Sequence, residues 1–207
     1  MGGGKFIIVD GCEGSGKTTI LKWFAETALG KKFLITHEPG GTPYAEEIRN
    51  LILHSQYAGQ SNAETQFGLQ WAQRAEHLKY CIKPTLNKGV NVVSDRFDSS
   101  TFAYQICAQK ARYLEKLFWQ TREVFLRERK PDLYIFFDVD PKIGLERVAS
   151  RKEKKTHFDR RELAFHKQVR AGFLEFLKYV PHEVIDANQS INGVKSAFLA
   201  VISKYLK

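Results

Sequence analysis

Phe6-Ile7-Ile8-Val9-Asp10-Gly11-Cys12-Glu13-Gly14-Ser15-Gly16-Lys17-Thr18-Thr19 runs from an apolar segment through a glycine-rich turn into a helical pattern. Gly11, four residues, and then Gly16-Lys17-Thr18 complete a P-loop. Glycines let the backbone curl until successive N–H groups face phosphate oxygens, and the helix that follows adds its partial positive charge. Residues Gly11, Cys12, Glu13, Gly14, Ser15, Gly16, Lys17, Thr18 and Thr19 are therefore the candidate ATP site. Lys17 is placed to reach the β- and γ-phosphates, and Thr18 to offer its hydroxyl to Mg²⁺. The context supports the motif, because a buried strand precedes it and a helix follows.

Outward from this loop, apolar segments alternate with helical patterns. Candidate strands lie at 5–10, 33–37, 90–94, 133–138 and 183–186. Helices are expected near 18–29, 45–53, 63–86, 99–107, 113–127, 141–151, 162–179 and 192–206. Short, almost continuously apolar strands separated by helices imply a parallel sheet covered on both faces, an α/β architecture. Ligands of such sheets sit beyond the carboxyl ends of the strands. The P-loop, the turn His37-Glu38-Pro39-Gly40-Gly41, Asp95-Arg96 and Asp186-Ala187 would converge there.

The 207 residues, 43% hydrophobic and 27% charged, suit one α/β domain spanning 1–207, with a lid at about 150–162. No apolar run approaches the roughly 20 residues of a membrane span, and residues 1–5 lack the apolar stretch of a signal peptide. Cysteines at 12, 81 and 107 have no metal-ligand spacing and fit a reducing compartment, so a cytoplasmic protein is expected. The net charge of +9 raises a nucleic-acid reading. Its distribution points elsewhere, since the basic residues concentrate in Arg151–Arg161 and no aromatic-interleaved basic face exists. That run reads as a solvated loop or as a cluster closing over phosphates, and the two are compatible.

Residues 90–95 read as a strand ending in the carboxylate of Asp95, positioned to hold Mg²⁺ with Thr18. Arg96 beside it suits a bidentate contact to a second phosphate.

Three further segments extend this reading. They are Thr36-His37-Glu38-Pro39-Gly40-Gly41-Thr42, Asp95-Arg96-Phe97-Asp98-Ser99-Ser100-Thr101-Phe102-Ala103-Tyr104-Gln105, and Pro131-Asp132-Leu133-Tyr134-Ile135-Phe136-Phe137-Asp138-Val139. With the P-loop, they resemble the bacterial thymidylate kinase family over essentially the whole chain. The resemblance implies a P-loop three-layer fold with a five-stranded parallel sheet and a small basic lid. It implies transfer of the ATP γ-phosphate to dTMP in dTTP biosynthesis, Mg²⁺ as cofactor, and a homodimer. No nucleic-acid or membrane partner is expected. The dimer face would be a hydrophobic side of helix 63–86 or 99–107.

The same resemblance implies the site. Lys17, Arg96 and Glu13 would act in the transfer, and Glu38, Arg49 and Arg96 would lie on the acceptor phosphate side. Arg74 would hydrogen-bond the pyrimidine edge, with Thr101 and Gln105 near the base and Tyr104 as a floor excluding a ribose 2′-OH. Gly14 stands where eukaryotic members often carry an arginine, so a lid arginine would supply that charge. Arg151 is the first choice and Arg160 the second. The turn at 186–189 matches the position where the adenine packs.

Two positions depart from the family pattern. His37 replaces the usual arginine, and a neutral imidazole is no permanent charge. Gln70 occupies the place of the phenylalanine that stacks on thymine. Phe67 and Trp71, on roughly the same helical face, could supply the ring, or the pocket could prefer another base. The alternatives left open are a kinase for another (deoxy)nucleoside monophosphate, a nucleoside kinase, and a basic nucleotide- or nucleic-acid-binding ATPase.

Overall fold

The computed structural model describes residues 3–150 and 156–206. Five strands form one sheet: β1 (Phe6–Gly11), β2 (Phe33–His37), β3 (Asn91–Asp95), β4 (Leu133–Asp138) and β5 (His182–Asp186). All pair in parallel, in the order β2-β3-β1-β4-β5. The central strands β1 and β4 are buried along nearly their whole length, which explains their unbroken apolar runs. Register aligns the strand ends: His37 lies opposite Asp95, and Asp138 opposite Asp186. The sequence switches from one side of β1 to the other after β3, and that switch point carries the P-loop.

Period-two alternation on β4 feeds two separate aromatic layers. Tyr134 and Phe136 meet Phe176 and Phe173 at ring-centroid distances of 5.3 and 5.1 Å. These two rings belong to α8 (Leu163–Leu177), which packs with α6 (Glu115–Leu126) on that face. Phe137 turns the other way, to Phe198 of α9 (Ile191–Tyr205), which also meets Phe24 of α1 (Lys17–Glu26). Each face of the sheet is thus sealed by helices, as the sequence implied.

The expected helix at 63–86 is α3 (Ala63–His77), a π-helical turn (Leu78–Ile82) and α4 (Lys83–Asn87) in succession. Likewise, α5 (Asp98–Thr101) widens into a π-helical turn over Phe102–Ala108. Every residue of Phe102–Ala108 is buried, packed along α8, with Gly172 permitting the approach. The segment therefore offers no free face for a partner, which corrects one of the two expected dimer surfaces. Such turns often occur at functional sites, and this one carries Tyr104 and Gln105. The start of α5 is pinned by a buried network: Arg122 Nε and the Tyr134 hydroxyl both donate to Asp98, each at 2.6 Å. The remaining α-helices among the described residues are α2 (Pro43–Leu53) and α7 (Pro141–Ala149). Among the described residues, no helix is long and apolar enough to cross a membrane.

Candidate active site

A cleft of about 540 Å³ opens at the carboxyl ends of β1, β2 and β3. Its walls are the P-loop, the turn after β2, residues of α2 and α3, and Thr156, Phe158 and Asp159. Glu13 to Thr18 line it, whereas Gly11 and Cys12 lie buried beneath and Thr19 sits outside on the exposed side of α1.

Lys17 is folded back into the loop, donating to Gly11 O at 2.8 Å, Cys12 O at 3.3 Å and Ser15 Oγ at 3.2 Å. Burial, and next the nearby Arg96, pull its ammonium below the ordinary lysine range. A polyphosphate bound here would replace these acceptors with stronger, charged ones. Gly14 has φ 73°, and a Cβ there would come within 2.1 Å of Gly144 O on α7. No side chain fits this position, so an arginine here is sterically excluded and any compensating cation must come from elsewhere. The contact is reciprocal, because a Cβ on Gly144 would meet Glu13 O at 2.3 Å. Gly144→Ala should therefore displace the P-loop and lower stability by about 1–3 kcal/mol, the usual scale of overpacking. Chemical denaturation checks this; an unchanged midpoint contradicts the close approach.

Thr18 Oγ1 lies 3.4 Å from Asp95 Oδ2, and Asp95 Oδ1 is buried with no hydrogen-bond partner among the described residues. One carboxylate and one hydroxyl beside a phosphate cradle are the hard oxygen donors that Mg²⁺ takes, so the residues present fit that ion. The orphaned oxygen is the observation that a cation would explain.

Arg96 leaves β3 with φ 70°, a left-handed conformation unusual outside glycine and typical of functional sites. Its Nη1 donates to Asp10 Oδ1 at 3.2 Å and Ser100 Oγ at 3.1 Å, and its Nη2 to Glu13 Oε1 at 2.9 Å. The Tyr104 hydroxyl donates to the same Glu13 oxygen at 2.6 Å. Burial opposes ionisation of Glu13, but Arg96, Lys17 and that hydroxyl outweigh it and bring its pKa down to about 2. Asp10 was not among the expected site residues, yet it anchors the constellation. Buried at the end of β1, it also accepts from Ser99 Oγ at 2.7 Å and Ser100 Oγ at 3.0 Å. An acid directly before the first P-loop glycine was the available signal.

Arg49 lines the cleft and donates to Pro39 O at 2.6 Å. His37 pairs with Glu46 Oε1 at 2.8 Å instead of pointing a fixed charge at the site. Glu38 faces the cleft, but its carboxylate is engaged behind the wall. Arg74 Nε donates to Oε2 at 2.9 Å, Gln73 Nε2 to Oε2 at 3.2 Å, and His77 Nδ1 pairs with Oε1 at 3.1 Å. Both of its carboxylate oxygens are thus engaged by Arg74, Gln73 and His77 in this structure.

Burial disfavours the charged form of His77, but Cys81 and Glu38 beside it prevail and raise its pKa to about 9. The histidine is cationic at neutral pH, donating to Glu38 and, through Nε2, to Thr36 Oγ1 at 2.7 Å. A group whose folded pKa is raised stabilises fully below its unfolded value near 6.5 and loses that contribution as pH rises through 9. The shift corresponds to about 3 kcal/mol. Melting temperature should accordingly fall between pH 6.5 and 9.5, and His77→Gln should flatten the fall. An equal decline in both proteins would contradict the pairing.

At the far end of the cleft, Gln70 lines the wall. Phe67 and Trp71 do not. They lie in the core, Trp71 against Phe118 and Phe125 at 5.7 and 5.4 Å, and Phe67 edge-on to Trp71 at 6.2 Å. The face of α3 that carries them is turned to α6, so neither ring is placed to stack on a base, a correction to the sequence reading. Arg74 is wholly buried behind the wall, its guanidinium carbon 4.6 Å from the Trp71 ring centre. Its Nη2 donates to Thr101 Oγ1 at 3.2 Å, and Nη1 is buried without a partner among the described residues. Gln105 lines the cleft with its Oε1 likewise unpaired.

Of the lid arginines, Arg160 is exposed and does not line the cleft, whereas its neighbours Phe158 and Asp159 do. Asp159 accepts from both the backbone N–H and the hydroxyl of Thr156, each at 2.7 Å, and that turn carries Arg160 on its outer side. Arg151 lies outside the described residues. Arg147, on α7, donates to Gly14 O at 3.3 Å and Ala187 O at 2.9 Å, tying the P-loop to the turn after β5.

A family model for thymidylate kinase matches residues 9–198. The chain is 38% identical over 206 residues to the thymidylate kinase of Francisella philomiragia, covering 97% of this chain and 98% of the relative. It is 40% identical over 206 residues to that of a Marinomonas strain, covering 97% and 95%. Among solved structures, the thymidylate kinase of Ehrlichia chaffeensis superposes with a TM-score of 0.74 at 28% identity, covering 97% of this chain and 99% of that one.

Proposed function

The chain belongs to the thymidylate kinase family, and from that membership we propose how its residues divide the transfer of a phosphoryl group from ATP to dTMP. The protein phosphorylates dTMP to dTDP with ATP as donor, a step of dTTP biosynthesis. The observation that carries the division of labour is Arg96 clamped between Asp10 and Glu13 at the junction of the P-loop and the acceptor cleft.

The acceptor is already an oxyanion near neutral pH, so the reaction needs no general base. Two anions must be brought together and their charge offset, which is work for positioning and electrostatics. The P-loop N–H groups and Lys17 cradle the ATP phosphates. Thr18 and Asp95 would hold Mg²⁺, whose charge would offset that of the ATP phosphates. Arg96, held from behind by Asp10 and Glu13, and Arg49 meet the dTMP phosphate. Glu13, ionised and held by Tyr104 and Arg96, orients that guanidinium from the sugar side. Tyr104 forms the floor under the deoxyribose. The base lies at the Gln70 end, where Gln105 Oε1 lacks a partner among the described residues and Arg74 backs the wall.

A single domain closed by a lid at about 150–162 completes this reading, with Arg151 as the lid cation for the transferred phosphoryl group. Free Cys12, Cys81 and Cys107 suit a cytoplasmic protein. The homodimer uses the outer face of α6, where Leu117 and Val124 are exposed, with Tyr113 just before the helix and Tyr80 on the π-helical turn after α3. Leu117→Glu should convert a sedimenting dimer into a monomer, whereas a wild-type monomer at high concentration would contradict the interface.

A coupled assay with dTMP, dUMP, dCMP, dGMP and thymidine tests the acceptor assignment. The highest kcat/KM is expected for dTMP. Turnover of another acceptor without dTMP would overturn it.

A further inference from the structure

Gln105 can face the cleft with either end of its amide, and the two ends select opposite bases. A carbonyl accepts from an N3–H, as in thymine; an NH₂ donates to an unprotonated N3, as in cytosine. We propose that Gln66, buried behind the cleft, decides which end is presented and so sets the base selectivity of the acceptor site.

The geometry is a relay of amides. Gln66 is 4% exposed, and its Nε2 donates to the backbone carbonyl of Ser61 at 3.2 Å. A carbonyl is an obligate acceptor, so this contact fixes the Gln66 NH₂ towards Ser61 and its Oε1 towards the π-helical turn. That oxygen receives Gln105 Nε2 at 3.1 Å and Gln109 Nε2 at 2.7 Å. Reversing the relay would set Gln66 Oε1 against Ser61 O, two acceptors without a hydrogen between them. The Gln105 NH₂ is therefore committed inward. Its Oε1 is left as the polar side-chain atom of a cleft residue that is 1% exposed and has no partner among the described residues. A buried unpaired acceptor is costly to leave unmade, and a base carrying N–H at this point removes that cost. An amide held in one polarity rejects the mismatched base, because mispairing buries two acceptors face to face.

Gln66 touches no substrate; it acts through Gln105 and is a positioning residue. The proposal rests on the assignment of the base to the Gln70 end of the cleft. It concerns a contact that composition alone would file as core.

The test compares dTMP with 5-methyl-dCMP, which keep the same sugar, phosphate and methyl group and differ at N3 and the 4-position. Gln66→Leu removes the acceptor that holds the Gln105 NH₂ and lets the amide turn. The dTMP KM should rise about tenfold with kcat kept within a few-fold, the scale of one buried hydrogen bond. The ratio of kcat/KM for dTMP over 5-methyl-dCMP should fall at least about tenfold. Gln66→Glu keeps a carbonyl or carboxylate oxygen facing Gln105 in either protonation state and should restore most of the ratio. If the leucine variant does not fold, Gln66→Met serves with the same expected fall. An unchanged ratio with both acceptors slowed alike would reduce Gln66 to packing and overturn the proposal. A wild-type protein that fails to turn over dTMP would instead refute the acceptor assignment itself.

Discussion

Lys17→Ala should lower kcat on the order of 10³-fold while leaving the dTMP KM within a few-fold, the scale seen when one preorganised charge is removed from a transferring group. In the proposed division of labour Lys17 serves the ATP phosphates, so its loss is felt when charge moves between phosphates. The structure adds a reason for near-normal folding. In the resting site this ammonium is held by two backbone carbonyls and a hydroxyl, neutral groups that water can serve. Steady-state kinetics with ATP and dTMP varied separately check this. Turnover within a few-fold of wild type would break the P-loop assignment.

Arg96→Ala should act on the other axis. Removing two charge-assisted contacts to the acceptor phosphate should raise the dTMP KM by about 10²-fold. The variant also leaves Asp10 and Glu13 without their shared cation. Breaking a buried ion pair from one side costs roughly 3–5 kcal/mol, so the melting temperature should fall as well. Arg96 is a fifth exposed, which places the effect towards the lower end of that range. An unchanged acceptor KM in a folded variant would refute the role.

Much of this site was legible in the sequence because its parts are short and local. A P-loop carries its own conformation in its glycines, and a strand ending in Asp95-Arg96 announces its direction. The strand boundaries fell within a residue of those observed, since unbroken apolar runs between helices have few other readings. What escaped was orientation. α3 is buried on two sides, one against α6 and one along the cleft, so helical periodicity cannot tell which of Phe67, Gln70 and Trp71 meets the ligand. Glu38 carries the right chemistry at the right turn, but its engagement with Arg74 and His77 depends on residues 36 and 39 positions away. Asp10 hid in plain view as the last polar residue of an apolar strand. The basic run at 151–161 has no apolar period from which the direction of its arginines could be read.

Gln70 lines the cleft while Phe67 and Trp71 are withdrawn into the core, so neither of those two rings faces the cleft. Arg74 Nη1 and Gln105 Oε1 are a buried donor and a buried acceptor, the complement of a keto oxygen beside an N–H. In the proposed binding mode, that pairing would suit thymine.

The most direct test of this reading is phosphorus NMR of the purified protein with ATP, Mg²⁺ and dTMP. Equimolar appearance of dTDP and ADP is the expected result. ADP accompanied by inorganic phosphate, with dTMP unconsumed, would contradict it and reveal an ATPase.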